Sequence, residues 1–124
     1  MGTEYALVHD DSMEAFDLGK GPWHSWHGGV PRNREAVVEL INRMVRGMEK
    51  REEALKEAPF VADKIWNFIK THPGCRLMHD CGDDTWLTPK QILNDPAWFA
   101  EVIAGGDKVY IQVGERYLKE GEAR

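Results

Sequence analysis

Alternation of hydrophobic and polar positions opens the chain. Tyr5-Ala6-Leu7-Val8 reads as a short strand and Met13 to Leu18 as its partner, with turn chemistry in His9-Asp10-Asp11-Ser12 between them. The period then changes. Val37, Leu40, Ile41, Met44, Val45 and Met48 recur at helical spacing, which predicts a helix over 33–57 that kinks or restarts near Gly47. Val61, Ile65, Phe68 and Ile69 mark one face of a largely buried helix over 60–71, with Pro59 expected in its first turn. His72-Pro73-Gly74 ends that helix, because proline cannot continue it and glycine accepts a left-handed backbone.

Period two returns at Cys75. Cys75, Leu77, His79 and Cys81 share one face of an expected strand over 76–80, and Arg76, Met78 and Asp80 share the other. Gly82-Asp83-Asp84-Thr85 reads as a turn. Thr88-Pro89-Lys90-Gln91 carries an N-cap, a first-turn proline and the glutamine of a capping box. Asp95-Pro96 opens another short helix, with Trp98 in its apolar pattern and Phe99, Val102 and Ile103 inward. Lys108 to Val113 alternates as a last strand, Gly114-Glu115 suits a tight turn, and Arg116-Tyr117-Leu118 is expected to pair back. Strands at both ends and helices between them predict an α+β fold. The expectation is a single domain over 1–124, a mostly antiparallel sheet of four or five strands packed by helices on one face, and a frayed tail over 119–124.

Composition adds limits. The chain has 124 residues, 42% hydrophobic and 30% charged, which suits one soluble domain with its own core. No apolar run approaches membrane-span length, and the N-terminus lacks the basic and apolar regions of a signal peptide, so a cytoplasmic location is expected. A net charge of −5 argues against nucleic acid, which needs lysine and arginine to displace counterions, and fits a basic protein partner. Along an extended strand Cys75 and Cys81 lie about 20 Å apart, too far for an intrachain disulfide.

Candidate chemistry is sparse. His72, Cys75, His79 and Cys81 supply metal-ligand types, and His24 and His27 are the other obvious donors, but no standard zinc spacing is present. No metal and no cofactor is expected, since buried cysteines behave as small hydrophobes. Asp10-Asp11 and Asp80/Asp83/Asp84 are acidic groups without a calcium-loop pattern, and read as turn residues or as contacts for a basic partner. Trp23, Trp26 and Trp86 fall in expected loops, where tryptophan either covers the core or anchors a partner.

Glu4-Tyr5-Ala6-Leu7-Val8 and the later Leu18-Gly19-Lys20 ahead of Trp23 resemble the opening of small uncharacterised bacterial proteins of the toxin–immunity locus type. The resemblance covers about one sixth of the chain and carries no catalytic motif. It implies a cytoplasmic protein that binds another protein. The leading expectation is a non-enzymatic protein-binding module of immunity or regulatory type, contacting its partner through Asp10, Asp11, Trp23, Trp26, Asp83, Asp84 and Trp86. The rival is a small metal- or thiol-dependent enzyme built on His79 and Cys81 with distant histidines. The two part on the ligand: a bound protein favours the first, stoichiometric zinc the second.

Overall fold

The computed structural model describes residues 3–80 and 84–118. The opening alternation forms a hairpin: β1 (Tyr5–His9) pairs antiparallel with β2 (Glu14–Gly19). Residues 23–29, expected as a loop, contain a 3-10 helix over Trp23–Gly28. The long helical pattern divides as Gly47 suggested. α1 (Arg34–Val45) starts at Asn33, whose side chain accepts from the Ala36 N–H, and α2 begins afresh at Arg51. Because α2 spans Arg51–Thr71, Pro59 lies inside it and not in its first turn. The carbonyl of Leu55 there loses its helical donor, a cost the buried face of Ala58, Ala62, Ile65, Phe68 and Ile69 must offset.

Gly74 turns the chain with a φ of +85°, and β3 (Arg76–His79) follows as expected. Next come β4 (Thr85–Leu87), α3 (Pro89–Asn94), α4 (Pro96–Ala104) and β5 (Val109–Glu115). The capping box forms: the Thr88 hydroxyl accepts from the Gln91 N–H at 3.1 Å, and the Gln91 side-chain carbonyl accepts from the Thr88 N–H at 2.8 Å. Thr85 and Trp86, expected in a turn and a loop, are strand residues. Trp98 and Ile103 of α4, expected inward, are 42% and 49% exposed.

The sheet has five strands in the order β3-β1-β2-β5-β4. It is mixed, which corrects the mostly antiparallel expectation. β1 runs antiparallel to both neighbours, whereas β5 runs parallel to both β2 and β4. Alternation is the same in both pairing modes, so the sequence pattern could not separate them. β5 also continues through Gly114 and Glu115 instead of turning, and Arg116-Tyr117-Leu118 forms no return strand. Its glycine is required by sterics: a Cβ at Gly114 would stand 2.9 Å from the Phe16 ring.

The strand register sorts side chains onto two faces. Leu7, Phe16, Leu18 and Leu77 face α1, α2 and the 3-10 helix in the main core, which contains Trp23, Trp26, Val37, Ile41, Ile65 and Phe68. Ala6, Val8 and Ala15 point the other way and are fully buried. They are small, and Met78, Tyr110, Trp86 and Met13 pack with them, so side chains from the sheet and its hairpin turn form this second cluster. Among the described residues no helix is long and apolar enough to cross a membrane.

Candidate functional site

The second face of the sheet carries the candidate site. Alternation puts Glu4 on the face of Ala6, and pairing of Ala6 with Asp17 and Met78 brings Asp17 onto it. The Asp80 N–H donates to the Glu4 carbonyl at 3.1 Å, which extends the β1–β3 ladder and places Asp80 beside Glu4. From the other side Ala15 pairs with Gln112, and Trp86 with Tyr110. Thr85, Thr88 and Gln91 close the rim. The result is a polar cleft of about 380 Å³ lined by Glu4, Asp17, Asp80, Thr85, Trp86, Thr88, Gln91 and Gln112.

Charge in the cleft is one-sided. Burial raises the Asp17 carboxyl above its ordinary value, and the like charges of Glu4 and Glu115 add to that. The Gly19 N–H, 3.1 Å from Asp17 Oδ1, and a hydrogen bond from Trp86 oppose the rise. A raised folded value means that Asp17 favours the fold below its unfolded pKa and loses that contribution as pH rises through the folded one. At neutral pH the ionised carboxylate therefore opposes folding. Asp17→Asn keeps an acceptor for Gly19 and removes the charge. The variant is expected to melt higher than the parent at pH 7, with the gain vanishing near pH 3. Thermal melts at the two pH values check this; a lower Tm at pH 7 would overturn it.

Other polar clusters tie elements together. The Tyr110 hydroxyl donates to Asp10 Oδ1 at 2.5 Å, and Arg76 donates to Asp10 Oδ2 at 3.0 Å and to the Tyr110 oxygen at 3.0 Å. The Arg76 hydrogen bond, then that of Tyr110, holds the Asp10 carboxyl down at about 2. His9 Nε2 donates to the Pro73 carbonyl at 3.0 Å, so Nδ1 is left to accept from the Ser12 hydroxyl at 2.7 Å. That bond lies within the hairpin turn and closes it. His72 stacks on Phe68 with centroids 3.9 Å apart, and its Nε2 meets Glu14 Oε1 at 2.9 Å, which fastens the end of α2 to β2.

The residues expected at a partner surface fare differently. Trp23 is wholly buried and Trp26 is 7% exposed, so both belong to the core and offer a partner nothing. Asp10 is committed to Arg76 and Tyr110. Asp11 is exposed in the hairpin turn. Asp84 accepts from the Lys108 N–H at 3.1 Å, a bond that joins the start of β4 to β5. Asp83 and Cys81 lie outside the described residues. Among the described residues of the set, Trp86 alone lines the cleft. Cys75 is buried as a free thiol, and desolvation pushes it up to about 11, which leaves on the order of one thiolate in ten thousand at pH 7. That is no resting state for a nucleophile. Among the described residues no group of three or more His, Cys, Asp or Glu is placed to hold a metal ion.

No protein-family model, curated protein or solved structure matches the chain.

Glu4, Asp17, Gln91 and Gln112 escaped the sequence reading as site residues, and Asp80 entered it only as a turn acid. One signal was present. Glu4 and Asp17 occupy positions on the same strand faces as Ala6 and Ala15, where charge sits beside unusually small residues.

Proposed function

We propose that the chain is a non-enzymatic protein-binding module, of immunity or regulatory type, that receives a lysine or arginine side chain of a basic partner in the cleft beside Trp86. The observation behind this reading is the cleft's composition: Glu4, Asp17 and Asp80 around one indole, in a concavity of about 380 Å³. A cation entering there offsets the desolvation, and the like charges of Glu4 and Glu115, that raise Asp17, so binding and deprotonation support each other. The indole adds an aromatic wall, a favourable neighbour for guanidinium. The net charge of −5 steers a basic partner toward the surface. A cytoplasmic setting and the resemblance of the first strands fit the same reading.

Titration with a hexa-arginine peptide, followed by NMR, tests it. The Trp86 indole N–H resonance is expected to move, and binding to weaken as salt screens the carboxylates. Asp17→Asn is expected to bind at least tenfold more weakly, about 1.4 kcal/mol, while folding more stably. Opposite signs for stability and binding are what a site that retains charge at a cost would produce. An unmoved indole resonance, or unchanged affinity in Asp17→Asn, would refute the reading.

A further inference from the structure

A cavity between the two long helices has no part in the cleft. α1 ends at Val45 and α2 begins at Arg51, so a short connection folds one helix onto the other. Near that connection α2 presents Ala54 and Ala58, which are too small to close the gap beside Ile41 and Met44 of α1. The gap is a cavity of about 190 Å³, lined also by Val61 and by Arg116 to Leu118 beyond β5. An apolar cavity of ~150 Å³ holds a benzene, so one ring with a short chain fits here. Met48 and Tyr117 line it too and are 45% and 50% exposed, so it reaches the surface.

Arg116 gives this apolar space a charged end. Its Nε donates to the Leu18 carbonyl, and its Nη2 donates to the Lys20 carbonyl at 3.2 Å and to the Tyr117 hydroxyl at 2.8 Å. The guanidinium also lies 4.3 Å from the Tyr117 ring centre. These contacts fix the side chain before any ligand arrives. A guanidinium has five N–H groups, and among the described residues the two on Nη1 have no acceptor. Among the described residues no carboxylate forms an ion pair with Arg116 either. We infer that the cavity binds a small aryl or alkyl carboxylate, with its apolar body between α1 and α2 and its carboxylate on Arg116. Burial of the body supplies attraction without direction, and the charge-assisted bond to Nη1 sets orientation. Glu57 also lines the cavity and favours the opposite charge, so an amine of the same shape is the decisive control.

NMR titration with phenylacetate, phenethyl alcohol and phenethylamine tests the assignment. The three probes share a ring and differ in charge. Phenylacetate is expected to saturate one site and to shift the Met44 and Met48 methyl resonances, binding at least tenfold more tightly than the alcohol. Arg116→Met should remove that advantage while the alcohol still binds, which shows that the cavity survives the change. Ala54→Phe fills the cavity from a half-buried helix position and leaves Arg116 in place, so it should abolish binding of both. No saturable site for phenylacetate, equal affinity for acid and alcohol, or tighter binding of the amine would overturn the assignment. So would undiminished binding in Ala54→Phe. The cavity and the cleft share no described lining residue, so failure here leaves the arginine-peptide result standing.

Discussion

Trp23→Ala is expected to destabilise the protein by about 3–5 kcal/mol, the range for removing a large buried aromatic. Trp23 has no exposed surface and packs on Trp26 with ring centroids 5.1 Å apart. The Arg116 guanidinium sits 5.9 Å from the Trp23 ring centre while Arg116 also donates to the Leu18 and Lys20 carbonyls. One indole thus joins the 3-10 helix, the end of β2 and the residue after β5. Among the described residues Trp23 Nε1 is the one buried side-chain polar atom without a partner. Burying an unpaired donor costs about 1–3 kcal/mol, so Trp23→Phe recovers part of what its lost volume forfeits. Alanine should therefore be far worse than phenylalanine in urea denaturation. A loss below about 1 kcal/mol for alanine would place the 3-10 helix outside the cooperative core.

Tyr110→Ala is expected to cost a similar amount, about 3–5 kcal/mol, although it removes a residue from the face away from α1 and α2. Tyr110 is fully buried and packs in the cluster that contains Ala6, Val8 and Ala15. These residues are too small to cover themselves, so losing the ring uncovers β1 and β2 together. Tyr110→Phe separates ring from hydroxyl. The hydroxyl serves Asp10 and Arg76, whose side chains are 45% and 46% exposed, so screening limits the loss to about 1 kcal/mol. Asp10 is held below its unfolded value, so its contribution is present above the ordinary carboxylate range and fades as pH falls toward about 2. The penalty of Tyr110→Phe should shrink over that acidic window. Equal losses for alanine and phenylalanine would show that the hydrogen bonds, and not the ring, secure this face.

What was legible in the sequence follows from how far each signal reaches. The β1–β2 hairpin, the C-terminal half of α2, the Thr88 capping box and β3 rest on local periodicity or a local hydrogen-bond exchange, and the structure carries them near their expected places. β4 was missed because Thr-Trp-Leu is too short to show alternation. The parallel pairing of β5 was missed because a strand's face pattern does not record its partner's direction. Trp98 misled because an apolar helical stripe signals burial only if another element comes to meet it, and α4 has no buried residue. The candidate cleft was least legible of all. Its described residues come from several stretches of the chain, from Glu4 to Gln112, and share a face only once the register is set.

The place of β5 has a consequence for how the chain is made. β2 pairs with β5 on the side away from β1, and among the described residues β4 pairs with β5 alone. Synthesis runs from the N-terminus, so β1, β2, α1, α2 and β3 emerge and can dock while the last strand is still unmade. During that interval β2 offers an open edge and β4 has no neighbour, which leaves unpaired backbone groups of the kind other chains can capture. Arrival of β5 seals β2 and recruits β4 in one event. A chain stalled within the helices between β4 and β5 would thus hold a half-sheet with a live edge.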